Sequence, residues 1–309
     1  MNENMKILLA EDDLTTSAIL SAVLKKWGYE PILVKDGQEA WETLQQPDCP
    51  SLVILDWLMP RMQGLEVIQH VRAKIVDKPP YIILLTSKDE MESILSGLEA
   101  GANDYIKKPF DNAELRARIR VGQRSIELQT NLYETQKRLE HLATHDPLTG
   151  ILNRRAILQS LSKELARIRR EKQPNLKSML CIGFFDLDHF KQINDQHGHQ
   201  SGDEVLIGLV NCLKGELREY DVFGRMGGDE FLIIAPGVDS ENHENLFKRI
   251  VLSIEKCKIQ TETGILSLTV SMGVSIAKPD CNEDQLLHTA DIAMYQAKRE
   301  GGNRVVFSK

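Results

Sequence analysis

The stretch "GRMGGDEFLII" (224–234) sets two glycines and two carboxylates inside an apolar run. Gly227 and Gly228 can take the positive φ of a tight hairpin turn and let another molecule approach the backbone. Asp229 and Glu230 then offer oxygens to a hard cation such as Mg²⁺. A solvated turn flanked by charges is the plain alternative. Upstream, "SMLCIGFFDLDHFKQINDQHGHQSGDEVL" (178–206) reads as a central strand ending at Asp186, then a helix starting near Phe190. If the hairpin lies beside that strand, Asp186 and Asp229 converge at one edge. Two carboxylates, a backbone carbonyl and bound phosphates form a common Mg²⁺ environment. Lys191 is placed for phosphate, and the helix start presents N–H groups to anions. Asn194 and Asp203 could read a base, because an Asp side chain accepts from the N1 and N2 donors of guanine. No Walker A sequence occurs, which excludes a P-loop enzyme.

A second group of reactive residues lies in the first third of the chain. Strand-like runs "KILLA", "PILV", "SLVILD", "YIILLT" and "DYIKK" alternate with amphipathic helical stretches. Such alternation implies a parallel sheet with helices on both faces. Ligand sites in these sheets lie at the carboxyl ends of the strands. Glu11 and Asp12 follow the first run, Asp56 closes the third, Thr86 the fourth and Lys108 the fifth. Clustered carboxylates repel one another unless a divalent cation joins them. An Asp beside a cation, a Lys and a hydroxyl is suited to accept a phosphoryl group. Taken singly, each residue also has an ordinary reading as a loop acid or a strand-ending Thr.

Composition bounds these readings. The 309 residues suffice for two domains with their own cores. A net charge of −7, concentrated before residue 111, gives no general attraction to nucleic acid or anionic lipid. No signal peptide is visible, and no apolar stretch approaches the roughly 20 residues of a membrane span. The five cysteines, Cys49, Cys181, Cys212, Cys257 and Cys281, are scattered with no CxxC. They read as free thiols in a reducing cytoplasm, not a disulfide framework.

Residues 111–144 contain no Pro and read as one long connecting helix, reaching about 50 Å at about 1.5 Å per residue. Leu128, Leu132, Thr135, Leu139 and Leu142 follow 4-3-4-3 spacing, a short coiled-coil seam suited to a homodimer. Packing of this helix on its own domains is the alternative. The upstream half does not keep the frame, and Gly122 interrupts it.

Residues 1–122 resemble the receiver domains of two-component response regulators. The resemblance rests on "AEDD" (10–13), "LDWLMP" (55–60), Gly64, "LLTS" (84–87) and "YIKKPF" (105–110), whose spacings agree as well as their types. It implies a (βα)5 fold, Asp56 as phosphoacceptor, and a histidine kinase as phosphodonor. Glu11, Asp12, Asp56 and the Leu58 carbonyl would surround Mg²⁺. Thr86 and Tyr105 would be the switch pair, and Lys108 would precede a cis proline, Pro109.

The region 145–309 resembles the GGDEF family of diguanylate cyclases. The motifs are "DPLTGILNRR", "FDLDHFKQINDQHGHQSGD", "RMGGDEF", "VSMGVSIA" (270–277) and "ADIAMYQAKREGGNRV" (290–305). The implied fold is α+β, a mostly antiparallel sheet flanked by helices, as in the palm of nucleotide polymerases. The implied metal ligands for Mg²⁺, or Mn²⁺, are Asp186, the Leu187 carbonyl and Asp229, with Glu230 in support. Phosphate contacts fall on Lys191, Lys298 and the backbone near Phe190. Base and ribose contacts fall on Asn194, His199 and Asp203, and Gly227 and Gly228 admit GTP. Many members carry an Arg where this chain has Gly302. Either that phosphate contact is missing or Arg304 replaces it. "REYD" (218–221) matches the spacing of the family's inhibitory product site, with Arg218 and Asp221 as its members and Arg249 as a further contact. A surface ion pair is the alternative.

The implied activity is 2 GTP → c-di-GMP + 2 pyrophosphate. Two rivals stand beside it. One is a silent cyclase domain that binds nucleotide or a partner without turnover. The other is a cyclase making a mixed cyclic GMP–AMP, against which Asp203 argues.

Overall fold

The computed structural model describes residues 5–74, 78–87, 91–170, 178–239, 243–278 and 281–308. It divides into two compact units, Met1–Arg138 and Leu139–Lys309.

The first unit runs β1 (Lys6–Ala10), α1 (Leu14–Lys26), β2 (Glu30–Val34), α2 (Gly37–Leu44), β3 (Leu52–Asp56), α3 (Gly64–Ala73), β4 (Tyr81–Thr86), α4 (Met91–Glu99), β5 (Asp104–Lys107) and α5 (Asn112–Thr144). The five strands form one sheet in the order β2-β1-β3-β4-β5, every pair parallel. Alternation along each strand feeds two cores. Ile7, Leu9, Ile54 and Ile83 meet Leu20 and Leu24 of α1 and Leu115 and Ile119 of α5 on one face. Leu8, Ala10, Val53, Leu55 and Leu84 meet Val67 and Ile68 of α3 on the other. Strands buried on both faces must be apolar throughout, which explains the unbroken runs "VIL" and "IILL". Each such buried side chain contributes roughly 1.5–3 kcal/mol.

Helix α5 begins in the first unit and ends in the second. It runs unbroken through Gly122, where the leucine seam loses its frame. A Cβ there would come within 2.7 Å of Leu52 Cδ1 and 2.9 Å of Tyr81 Cδ1, so the residue is small because the helix presses on the sheet. Tyr29 Oη also donates to Gln123 Oε1 at 2.9 Å.

The second unit continues with α6 (Arg154–Arg170), β6 (Ser178–Leu187), α7 (Phe190–Lys214), β7 (Val222–Gly227), β8 (Glu230–Asp239), α8 (His243–Lys256), β9 (Ile259–Thr261), β10 (Gly264–Leu266), β11 (Val270–Ile276), α9 (Glu283–Arg299) and β12 (Arg304–Phe307). Its main sheet has the order β12-β11-β6-β8-β7 and is antiparallel except for the parallel β11–β12 pair. Cys181, Phe185, Phe231 and Ile233 pack against α7 and α8, while Ile182, Phe184, Leu232 and Ile234 pack against α6 and α9. β9 and β10 form a separate two-stranded hairpin.

The expectation of five free thiols is corrected for one pair. Cys212 near the end of α7 and Cys257 just after α8 are joined as a disulfide, their Cα atoms 6.5 Å apart. The separation of 45 residues carries no motif, and only the packing of α8 on α7 brings them together. Cys49, Cys181 and Cys281 are free. Burial pushes the Cys181 thiol up to about 12, which keeps it protonated and unreactive.

Candidate functional site

In the first unit, the parallel sheet delivers Glu11, Asp12 and Asp56 to one edge, with a carboxylate oxygen from each within 4.8 Å of the others. Lys108 Nζ reaches Glu11 Oε2 at 2.6 Å and Asp56 Oδ2 at 3.1 Å. Burial, reinforced by Asp12, raises the Asp56 carboxyl above its usual range despite Lys108. Burial likewise raises Glu11, with Asp56 adding to the effect. A single lysine therefore leaves the three acids short of positive charge, and a divalent cation suits the donor set. Thr86 is buried at the end of β4, and the Lys108–Pro109 peptide is cis. Tyr105 is half-buried, with the Arg118 guanidinium 6.0 Å from its ring centre. Leu58 is exposed in the loop after β3, so its side chain takes no part in the core. Gly64 is required by close approach, since a Cβ would stand 2.2 Å from the Asp56 carbonyl oxygen.

In the second unit, β7 and β8 form the expected hairpin. Gly227 and Gly228 hold its tip at φ 147° and 54°, conformations that L side chains rarely adopt. Asp186 pairs in register with Glu230, and the Leu187 N–H donates to the Asp229 carbonyl at 3.3 Å. The hairpin acids thus lie beside the end of β6. Burial raises the Asp186 carboxyl, and the charges of Asp229 and Glu230 add to the rise. Lys298 of α9 offsets part of it, with Nζ 2.7 Å from Asp186 Oδ1. The resemblance gives Lys298 to phosphate; its ammonium stands here on Asp186, at the same strand edge. A buried Asp186 repelled by the half-buried Asp229 and Glu230 suits a divalent cation.

Helix α7 begins at Phe190, half-buried against the core, with Lys191 exposed beside it. The helix kinks at Gly198, where φ is 83° and ψ 161°. Asn194 lies before the kink; His199 and Asp203 lie after it and are exposed. The Asn194 side chain rests on the Gly202 backbone, where a Cβ would meet its Oδ1 at 1.9 Å. Arg304 folds back onto Glu300 at 3.1 Å, and a Cβ at Gly302 would face the Asp188 carboxylate at 3.0 Å.

Three contributors had no role in the sequence reading. Asp188 accepts from Thr269 Oγ1 at 2.8 Å, Ser271 Oγ at 2.6 Å and the Asn303 N–H at 2.9 Å, tying β6 to β11 and to the turn before β12. Arg225 of β7 donates through Nε to the Gly228 carbonyl at 2.8 Å and through Nη1 to Asp146 Oδ1 at 3.1 Å. Asp146 also accepts from Thr149 N and Oγ1 at 2.9 and 2.6 Å. The motifs "DPLTG" and "GRMGG" were the available signals.

Burial alone would raise the Asp146 carboxyl, but the hydrogen bonds from Thr149 and Arg225 outweigh it and hold the group below its usual value of 3.8. A lowered folded value means that this carboxylate stabilises the fold above the ordinary value, a contribution lost as pH falls through the lower folded one. Asp146→Asn is therefore expected to destabilise the second unit by about 1–3 kcal/mol at neutral pH. The deficit relative to the parent should shrink as pH falls below 3.8. Thermal unfolding of both proteins across that range checks this; a pH-independent deficit would contradict it.

Around "REYD", Asp221 Oδ2 accepts from the Arg218 backbone N–H at 2.8 Å, and burial raises its carboxyl. Asp221 Oδ1 is buried without a hydrogen-bond partner. The Arg218 guanidinium lies 5.9 Å from the Tyr220 ring centre. Arg249 is held by Glu216 at 3.1 Å. Arg218 and Arg249 both line a cavity of about 440 Å³ that also borders Asp239 and Asn245.

Residues 143–304, more than half of the chain, match the family described as diguanylate cyclase, GGDEF domain. The chain belongs to the GGDEF diguanylate cyclase family. Residues 7–120 match the response regulator receiver domain, so the first unit of this GGDEF protein carries a receiver. The whole chain is similar to the response regulator PleD of Caulobacter vibrioides, 29% identical over 309 residues, spanning 97% of this chain and 65% of PleD. It is also similar to the probable diguanylate cyclase DgcC of Escherichia coli K12, 36% identical over 181 residues, spanning 58% of this chain and 47% of DgcC. Among solved structures, the coiled coil and GGDEF domain of DgcB from Caulobacter crescentus, in complex with c-di-GMP, aligns with a TM-score of 0.55 at 27% identity. That alignment covers 63% of this chain and 99% of the DgcB chain. The diguanylate cyclase SiaD of Pseudomonas aeruginosa, in complex with its activator SiaC, aligns at 0.51 and 34% identity, over 63% and 74% of the two chains. Among the described residues, no helix is long and apolar enough to cross a membrane.

Proposed function

We propose that this chain is a phosphorylation-activated diguanylate cyclase that joins two GTP into c-di-GMP and releases two pyrophosphates. The observation that carries the proposal is the meeting of Asp186 with the Asp229–Glu230 hairpin, beside Lys298. Asp186, the Leu187 carbonyl and Asp229 would hold Mg²⁺ or Mn²⁺, with Glu230 supporting them. Such a cation, when bound, supplies positive charge at the attacked α-phosphate and acidifies the 3′-hydroxyl. The chain's own residues then divide the remaining work. Lys191, Lys298 and the first N–H groups of α7 take the triphosphate. Asn194 and Asp203 take the guanine edge, His199 the ribose side, and the glycine tip leaves room for the nucleotide. Asp229 would receive the 3′-hydroxyl proton as the 3′-oxygen bonds to phosphorus and pyrophosphate leaves.

Each protomer holds one GTP, so two sites must face each other across a homodimer. The leucines Leu128, Leu132, Leu139 and Leu142, each between 56% and 69% exposed, support pairing through α5. Asp56 is the proposed phosphoacceptor, supplied by a histidine kinase, with Thr86, Tyr105 and Lys108 responding. Pyrophosphate release from GTP by the full chain tests the reading. GTP binding with no release would identify a silent binding module, and equal use of ATP beside GTP would identify a mixed-product cyclase.

Product inhibition is assigned to Arg218 and Asp221, with Arg249. Arg218 and Arg249 at one cavity support a ligand carrying phosphate, and Asp221, whose Oδ2 accepts from the Arg218 N–H, lies in the same turn. Arg218→Ala with Asp221→Ala is expected to leave turnover intact and to weaken inhibition by c-di-GMP at least about tenfold, since hydrogen bonds to charged groups contribute about 1.5–3 kcal/mol each. Initial rates against added c-di-GMP measure it, and unchanged potency would rule the site out.

A further inference from the structure

The proposed base-reading residues lie on two different helical segments. Asn194 precedes the Gly198 kink and Asp203 follows it. The backbone is non-helical at Gly198, so contacts from outside α7 can set the spacing of the two side chains. The β9–β10 hairpin is placed to supply such a brace. Its two-residue tip, Glu262-Thr263, touches α7 on both sides of the kink. Thr263 Oγ1 is 3.1 Å from His197 Nδ1 before the kink and 3.1 Å from Ser201 Oγ after it. The Glu262 N–H adds a third tie, donating to Glu204 Oε2 at 2.9 Å.

The proton inventory makes this a directed knot. Thr261 Oγ1 donates to the Gly264 carbonyl at 2.7 Å, so toward Thr263, 3.2 Å away, it can only accept. Thr263 therefore spends its single proton on Thr261 and must accept from both Ser201 Oγ–H and His197 Nδ1–H. One hydroxyl with one proton and two lone pairs meets all three neighbours in that arrangement alone. Ser201 and Thr261 are buried, whereas Thr263 is exposed and His197 half-buried, so the knot has a dry inner side and a solvent-facing outer one. Gly202, next to Ser201, carries the backbone against which the Asn194 side chain rests. The brace thus fixes the contact point between the two segments.

We infer that Thr263 is a positioning residue for guanine recognition, holding Asn194 and Asp203 at one spacing across the Gly198 kink without touching the nucleotide itself. The inference rests on the proposed roles of Asn194 and Asp203. It predicts a loss of binding and discrimination, not of chemistry, because neither Asp186 nor Asp229 takes part in the knot's hydrogen bonds.

The test uses the full chain with Mg²⁺, comparing GTP with inosine triphosphate, which lacks the 2-amino group. Thr263→Val keeps the branched shape and removes the hydroxyl; Thr263→Ser keeps the hydroxyl. In Thr263→Val the KM for GTP should rise roughly five- to tenfold, with kcat within about twofold. The preference for GTP over inosine triphosphate should fall by a similar factor, and Thr263→Ser should restore both. An unchanged KM and preference in Thr263→Val, or a fall in kcat alone, overturns the inference while the function reading stands. A parent protein that shows no preference for GTP overturns the roles of Asn194 and Asp203, and this inference with them.

Discussion

Asp229→Ala is expected to lower pyrophosphate release from GTP by about a thousandfold or more, equivalent to about 4 kcal/mol of transition-state stabilisation. The carboxylate stands at the hairpin tip next to Asp186. Removing it leaves the proposed cation one ligand short and the 3′-hydroxyl without its proton acceptor. Asp186 would keep Lys298 as its counter-charge, but a lysine does not replace the lost metal ligand. The fold should survive. Asp229 lies outside the apolar cores and between Gly228 and the start of β8, so the substitution opens no cavity. Thermal unfolding within about 1 kcal/mol of the parent, with release lost, is the expected pair of results. Turnover near the parental rate in Asp229→Ala would sink the assignment of this edge as the catalytic site.

The second large effect concerns coupling along α5. A phosphoryl group on Asp56 adds negative charge next to Lys108, Thr86 and the strand-end acids. A full switch from 1:99 to 99:1 takes about 5.5 kcal/mol. Two or three charge-assisted hydrogen bonds at about 1.5–3 kcal/mol each supply most of that, and contacts between protomers can supply the rest. Because α5 is continuous from Asn112 to Thr144, rotational phase should matter more than length. One residue inserted between Leu132 and Leu139 turns the downstream part of the helix by about 100°, whereas seven nearly restore the face. The one-residue insertion is expected to reduce activation by beryllofluoride to about onefold, and the seven-residue insertion to retain most of it. Equal activation of both variants would show that the connection acts as a flexible tether.

The receiver was legible because a parallel sheet turns sequence order into position. Each strand ends on the same edge, so Glu11, Asp12, Asp56 and Lys108 converge whenever the strands pair. The hairpin was legible for a related reason. Two adjacent glycines inside an apolar run fix a turn, and the turn fixes which acids sit at its tip.

Gly122 shows what local reasoning leaves out. Only packing explains its size, which serves a close approach to Leu52 and Tyr81, residues far from it in the chain. The same holds for Arg225 with Asp146, Asp188 with Thr269 and Ser271, Lys298 with Asp186, Cys212 with Cys257, and Thr263 with Ser201 and His197. Local spacing and hydrophobic period are properties of neighbours along the chain, and they located the five strands of the first unit, the strand ending at Asp186 and the β7–β8 turn, while the family rested on the motifs themselves. Side-chain partners depend on how helices and hairpins pack across the sheet. Only the tertiary structure decided which cation meets which carboxylate, and which hydroxyl braces the α7 kink.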